Sequence, residues 1–190
     1  MSALTALVTF KPVTTADVEL LVNISRETFF AAFAHLNNAN DMEVYAAVSF
    51  NHQQLKKELN TAGAKFIFAM LDHEVVGFMK LNTGTAQNEF KDMNSLEVER
   101  LYVLSAYQGK QIGSQMLKFA LAMALTYQHE SIWLGVWEHN HSAIRLYERM
   151  GFSHCGSHDF MLGNDRQTDL LMKKTLNKKS DVKIHIALLV

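Results

Sequence analysis

SLEVERLYVLSAYQGKQIGSQMLKFALAMALTY, residues Ser95 to Tyr127, is the stretch from which the fold is read. It opens on a run with strand character, Leu96 to Leu104, crosses a short polar turn, Ser105 to Gly113, and continues as an amphipathic helix pattern from about Ser114. A strand that feeds a glycine-bearing turn and then a helix is a common way to hold a phosphate. The first backbone N–H groups of a helix have no partner inside it, and the helix dipole adds partial positive charge there. Gly109 and Gly113 carry no Cβ, so a ligand can come close to the backbone at both. Neither familiar nucleotide fingerprint fits: GxGxxG needs glycines that Gln108–Ser114 lacks, and GxxxxGK[ST] needs a lysine where Ser114 follows Gly113.

Outward from this stretch the chain keeps a regular punctuation. In the helix that follows, Met116, Leu117, Ala120, Leu121, Ala124 and Leu125 form an apolar stripe with no proline in it. Before it, Lys65–Met70 and Glu74–Leu81 predict a β-hairpin about Leu71-Asp72-His73. Asn82 to Asn94 reads as a polar loop whose acids, Glu89 and Asp92, are solvated. Earlier still, Ala3–Phe10 predicts a first strand ended by Pro12. Thr14 or Thr15 then caps a helix with Asp17 in its first turn and Val18, Leu21, Ile24, Phe29 and Phe33 on its apolar face. Phenylalanines at that spacing suit a core more readily than a substrate wall. Asn40-Asp41-Met42-Glu43 reads as a capping box. Asn51 with Gln54 opens another helix, through Leu55 and Leu59 to Gly63, with Lys56, Lys57 and Glu58 on a solvated face.

On the C-terminal side, Ser131–Trp137 suits a buried parallel strand. Asn140 is a fitting N-cap for a helix from His141 to Met150, with Gly151 at its C-terminus. Phe152–Leu162 and Gln167–Lys173 predict two strands about the turn Gly163-Asn164-Asp165. From Asn177 the chain begins polar and ends apolar, at Ile184, Ile186, Leu188 and Val190, as an edge strand or a packing tail would.

The 190 residues point to one domain, residues 1–176, with residues 177–190 as a tail or edge strand. A hydrophobic share of 48% against 19% charged is enough for a sizeable core. A net charge of −1 argues against nucleic acid or an anionic membrane as the main partner. Cys155, the single cysteine, cannot form an internal disulfide and points to a reducing compartment. No apolar run reaches the ~20 residues of a membrane span, and the N-terminus lacks a basic-then-apolar secretion signal, so a cytoplasmic protein is expected.

Two segments carry a resemblance. Gln108, Gly109, Lys110, Ile112 and Gly113 resemble the Q/R-x-x-G-x-G/A pyrophosphate loop of the GNAT family, the Gcn5-related N-acetyltransferases; Gln111 stands where the family's middle glycine usually sits. LGVWEHNHSAIRLYERMGF, Leu134 to Phe152, is similar to the family's V-x-x-x-N-x-x-A-x-x-x-Y-x-x-x-G-F at matching spacing. The match covers Glu74 to Lys174 well and the N-terminal third loosely. LEVERLYVLSAYQGKQIG, WLGVWEHNHSAIRLYERMGF and HDFMLGNDRQTDLLMKK together resemble the bacterial PaiA-type branch, known for acetylating spermidine and spermine.

The resemblance implies an α/β (α+β) GNAT fold, a central mixed twisted sheet of about seven strands with helices on both faces. It implies an acetyl-CoA-dependent N-acetyltransferase that moves the acetyl group directly to a primary amine, a polyamine foremost. A protein amine, another small amine, and a non-enzymatic acyl-CoA-binding module are the alternatives. In the family the central strand bulges and turns backbone groups toward the pantetheine arm; by position these are Leu101, Tyr102 and Val103. Gln108, Gly109, Lys110, Gln111, Ile112, Gly113 and Ser114 would hold the pyrophosphate, with Lys110 either adding charge at its rim or simply solvated. Asn140 would cap its helix and also bond the pantetheine.

Tyr147 matches the tyrosine that gives a proton to the departing sulfur, since a phenol of pKa about 10 is protonated at neutral pH; the alternative is an aromatic packed in the core. Glu97 corresponds to the general base of some members, acting through a water. Glu99, two residues on and so on the same strand face, would instead anchor a cationic acceptor. Arg100, on the other face, would pair with an acid. His139, His141, His154 and His158 invite a metal reading, but no cysteine partner lies near the first pair and direct transfer needs neither metal nor a Cys155 nucleophile, so neither is expected. The expected partners are a small amine and a second copy of the chain, through the C-terminal strands or the tail.

Overall fold

A computed structural model describes residues 7–177. Seven strands, β1 (Thr9–Pro12), β2 (Ala64–Leu71), β3 (Glu74–Thr83), β4 (Ser95–Val103), β5 (Ser131–Trp137), β6 (Ser153–Leu162) and β7 (Asp165–Thr175), form one sheet in the order β1-β2-β3-β4-β5-β7-β6. Every neighbouring pair is antiparallel except β4 and β5, which run parallel. The helices are α1 (Val18–Phe33), α2 (Ala39–Ser49), α3 (His52–Leu59), α4 (Ile112–Thr126) and α5 (His141–Arg149).

Strand alternation builds a core on each face. Phe66 and Phe68 of β2 pack with Leu21, Ile24 and Leu55 of α1 and α3. Ile67 and Ala69, one residue out of phase, pack on the other side with Met116, Leu117, Ala120, Leu121 and Ala124 of α4. These five residues of the expected α4 stripe are buried, and Leu125 is partly so. A third cluster joins Phe29, Met42, Ala46 and Phe50 to Leu162, tying α1 and α2 to the end of β6.

The local chemistry explains most element ends. Asp72 and His73, both at positive φ, turn the β2–β3 hairpin with a twist that matches its strands. Asn51 Oδ1 accepts from Gln54 N at 2.9 Å, and Asn140 Oδ1 from Ala143 N at 3.2 Å, capping α3 and α5 as read from the sequence.

Four expectations need correcting. α2 is capped by Asn38, whose Oδ1 accepts from Asn40 N and Asp41 N, not by Asn40. Asp41 instead accepts from Asn164 N at 2.9 Å, holding α2 to the β6–β7 turn. Asn82 is a buried β3 residue rather than the start of a loop. β1 spans Thr9–Pro12 and includes the proline, which an edge strand tolerates. α4 begins at Ile112, because Gln111 takes a left-handed conformation (φ 62°, ψ 13°) and serves as its N-cap. Residues 3–6 of the expected first strand and residues 178–190 of the tail lie outside the described residues.

Two irregularities in the sheet's middle matter most. Between β3 and β4, Lys80 faces Arg100 and Leu81 faces Val98, so Glu99 is the extra residue of a bulge. Between β4 and β5 the ladder holds only Ser95↔Ser131, Leu96↔Ile132 and Glu97↔Trp133. Beyond that point β4 stays with β3 as far as Val103↔Gly77 and β5 stays with β7 as far as Trp137↔Asp169. The two parallel strands therefore part, leaving a V-shaped seam.

Candidate active site

The seam runs into the start of α4. No N–H from Gly109 to Ser114 has an acceptor among the described residues; the first amide of this helix to bond inward is that of Gln115, to Gln111 O at 3.1 Å. These free amides sit where the helix dipole is positive, the arrangement that binds a diphosphate. A groove of about 810 Å³ is lined by Leu101, Tyr102, Val103, Gln108, Gly109, Gln111, Ile112, Gly113, Ser114, Asn140 and Tyr147. Lys110 is the one residue expected at the co-substrate that does not line it. Its ammonium lies 4.8 Å from the centre of the Tyr107 ring. The backbone of Leu101–Val103 that points away from β3 has no strand beside it among the described residues, so an extended ligand could complete it.

A second cavity, about 570 Å³, adjoins the first along the seam. Phe29, Phe33, Tyr45, Phe50 and Trp137 supply aromatic walls, and Glu97, Glu99, Asp159 and Asp169 supply acids. Phe29 and Phe33 are thus both core and wall. Phe33, Leu101, Tyr102, Trp137, Asn140 and Tyr147 line both spaces. Tyr147 is only 8% exposed, and burial pushes its phenol up to about 12, so it is protonated throughout the neutral range. Its hydroxyl has no hydrogen-bond partner among the described residues.

The two carboxylates of β4 are held differently. Glu97, 2% exposed, accepts from Asn82 Nδ2 at 2.9 Å, Asn88 N at 3.0 Å and Asn88 Nδ2 at 2.8 Å. Burial raises its pKa, with Glu99 adding to the rise, against the pull of those hydrogen bonds. Glu99 is already engaged by Lys80 at 2.7 Å, Arg100 at 3.3 Å and Asn82 Nδ2 at 2.6 Å. Both accept from the same amide nitrogen and so share a face, as expected.

Two neighbours depart from expectation. Arg100 does pair with acids, but on that same face, because the bulge at Glu99 breaks the alternation that would have sent it across the sheet. Glu58 is not on a solvated face: it is buried and bonded to Lys80 at 2.8 Å, Arg100 at 2.9 Å and Gln54 at 2.7 Å. Lys56 and Lys57 are exposed as read.

Sequence reasoning missed two acids of the cavity, Asp159, which Arg166 bridges, and Asp169. Asp169 stands on β7 between Trp137 of β5 and His158 of β6. Its carboxyl lies over Gly135, where an added Cβ would come within 3.3 Å of Oδ2. His158 Nε2 is 3.9 Å away, and no hydrogen-bond donor reaches Asp169 among the described residues. Burial pushes its pKa up to about 6, against the opposing pull of His158. Asp169 is a lone acid ahead of Leu170-Leu171-Met172, which was a local signal; the pairing with Trp137 that aims it into the cavity was not written locally.

Among the described residues, no three His, Cys, Asp or Glu side chains converge as a metal site, and no helix is long and apolar enough to cross a membrane. His158 sits instead near Glu89, at 3.4 Å, and Cys155 lines neither cavity. Glu89 is thus not merely solvated.

The same fold recurs in known proteins. The family model described as Acetyltransferase (GNAT) family matches residues 20–152. An uncharacterised N-acetyltransferase in the pepI 3′ region of Lactobacillus delbrueckii subsp. lactis is 40% identical over 160 residues, 84% of this chain and 92% of that one. The spermine/spermidine N(1)-acetyltransferase of Bacillus subtilis is 34% identical over 88 residues, 46% of this chain and 58% of that one. The crystal structure of the PaiA N-acetyltransferase of Thermoplasma acidophilum, in complex with coenzyme A, matches with a TM-score of 0.72 at 21% identity, covering 90% of this chain and 99% of that one. With the sheet order, the open seam and the family match in agreement, the chain belongs to the GNAT family of acetyltransferases.

Proposed function

We propose that this acetyltransferase transfers the acetyl group of acetyl-CoA to a primary amine of a small polycationic acceptor, a polyamine of the spermidine or spermine class. The observation that carries the reading is Tyr147, a protonated and unbonded hydroxyl in the wall common to the amide-lined groove and the acidic, aromatic cavity. A proton donor belongs where the departing sulfur and the arriving amine meet.

Each residue then has a task. The amides of Gly109 to Ser114 hold the diphosphate, and the open edge of Leu101–Val103 holds the pantetheine arm in line with the sheet. Asn140, whose Oδ1 caps α5, keeps its amide nitrogen for the same arm. Glu97, fixed by Asn82 and Asn88, draws the proton from the amine through a water. Tyr147 gives its proton to the sulfur as the thioester carbon–sulfur bond breaks.

Charge supports a cationic acceptor. Arg100 is already balanced by Glu58 and Glu99, while Glu97, Asp169 and the rim residue Glu89 add acidity to the cavity. Aromatic faces suit both the methylene chain and the ammonium groups of a polyamine. The partial similarity to the Bacillus spermine/spermidine enzyme points the same way. A single cysteine fits a cytoplasmic setting.

The test is thiol release from acetyl-CoA with pure protein against spermidine, spermine, putrescine and a set of peptide and small amines. Turnover concentrated on polyamines supports the reading. No release with any polyamine removes the substrate, and no release with any amine leaves an acyl-CoA-binding module.

A further inference from the structure

We infer that Asp169 is the anionic contact that captures the ammonium group of the acceptor, and so sets the enzyme's preference for cationic amines. The inference rests on the acetyltransferase reading above and names the residue that selects its second substrate.

The cavity holds several acids, but most are already engaged. Glu97 accepts from three donors, and Glu99 is held by Lys80, Arg100 and Asn82. Asp159 is bridged by Arg166 and accepts from Thr168 Oγ1 at 3.0 Å. Glu89 stands at the rim, about half exposed. Asp169 alone of this set is well covered, at 24% side-chain exposure, yet receives no hydrogen bond among the described residues. His158 Nε2 at 3.9 Å is beyond hydrogen-bond reach. A carboxylate in such a place lacks the donors that normally accompany burial, and an ammonium group would supply them.

The backbone around it is arranged to leave access. Gly135 sits mid-strand in β5, where glycine weakens a strand and commonly marks the close approach of a ligand. Any side chain there would press on Asp169 Oδ2 at 3.3 Å. Trp137, the cross-strand partner of Asp169, also lines the cavity, with Phe33 edge-on to its ring at 6.0 Å. Carboxylate below and indole beside is a setting that an alkylammonium fills well. Gly135 and Asp169 also lie on the parted half of β5 and its neighbour, beside the seam, so an amine held there sits in the cavity that Tyr147 also lines.

The experiment compares wild type with Asp169→Asn, Gly135→Ala and, as a control, Asp92→Asn at an exposed acid that lines neither cavity, measuring KM and kcat for the amine and for acetyl-CoA. The expected result for Asp169→Asn is a rise of at least tenfold in amine KM, with acetyl-CoA KM and kcat within about threefold. Gly135→Ala should raise amine KM in the same sense, and Asp92→Asn should not. A second readout needs no turnover: spermidine added to the CoA complex should raise the melting temperature of wild type but not of Asp169→Asn. An unchanged amine KM in Asp169→Asn overturns the inference, as does a fall in kcat at constant KM, which would make Asp169 part of the chemistry instead. If wild type acetylates another amine but no polyamine, the polyamine reading fails while the Asp169 comparison is run on that amine. If wild type acetylates and binds no cationic amine, both are withdrawn.

Discussion

Arg100 grips Glu58 with both terminal nitrogens, Nη1 at 2.9 Å from Oε2 and Nη2 at 3.2 Å from Oε1. The pair ties α3 to the central strand beside the acidic, aromatic cavity, and Lys80 joins it from β3 at 2.8 Å. Burial on its own would raise the Glu58 pKa, but Arg100 and then Lys80 outweigh it and hold the carboxyl below its ordinary value. A carboxyl so depressed stabilises the fold above its unfolded pKa and loses that contribution as pH falls through the folded value. Glu58→Gln should therefore cost about 3–5 kcal/mol at pH 7, since it leaves the buried Lys80 and Arg100 to share the single carboxylate of Glu99. Urea melts should show that deficit shrinking toward pH 3; a deficit that is constant with pH would argue for lost packing instead.

Tyr147 is raised to about 12 by burial, so the acid remains loaded throughout the assay range. Tyr147→Phe removes the proton and keeps the ring against Phe152. We expect kcat to fall by roughly 10²–10⁴-fold, with acetyl-CoA affinity within about threefold. Stopped assays for the rate and calorimetry for CoA binding separate the two. Equal loss of both would reassign Tyr147 to binding.

Gln111 holds a left-handed conformation that costs a non-glycine residue about 1 kcal/mol or more. Gln111→Gly should recover part of that, raising the melting temperature by about 2–4 °C in a chain of this size. CoA affinity should hold, because backbone amides do the gripping. A Val at this position should lower stability, and a drop in CoA affinity for Gln111→Gly would show the side chain to be a ligand.

Asp169 should trade stability for binding. Its pKa, moved from 3.8 to about 6, means the fold loses stability as pH rises between those values, where the folded state gives up its proton reluctantly. The titratable groups that act on it or on which it acts are His158 on β6 and Tyr102 on β4. Asp169→Asn should thus be more stable than wild type at pH 7 by about 1–3 kcal/mol and equal to it near pH 4. Denaturation at the two pH values checks the difference, and a variant less stable at both would mark Asp169 as structural.

How much of this was written in the sequence depends on the range of the interaction. Local signals were legible: Asn51 and Asn140 as caps, the Asp72-His73 turn, the α4 stripe and the strand–turn–helix around Gly113 all follow from neighbours within a few residues. The resemblance supplied the residues that line the groove. Pairings across the sheet were not legible. Glu58 looks solvated between Lys57 and Leu59 until β3 and β4 bring Lys80 and Arg100 to it. Arg100 changes face only because Glu99 is a bulge, and nothing in VERLY announces one. Asp169 gains its place from a register set by two other strands.

The short β4–β5 ladder gives the sheet two panels, β1 to β4 and β5, β7 and β6, joined there by three facing pairs at one margin. The acidic, aromatic cavity draws walls from both, Glu97 to Tyr102 on one and Trp133, Gly135, Val136 and Trp137 with Asp169 on the other. A molecule wedged in the seam would act as the missing cross-brace, fixing the angle between the panels and with it the mouth that the amine enters. Catalysis should then follow a compulsory order with acetyl-CoA leading, visible as product CoA competing against acetyl-CoA but not against the amine.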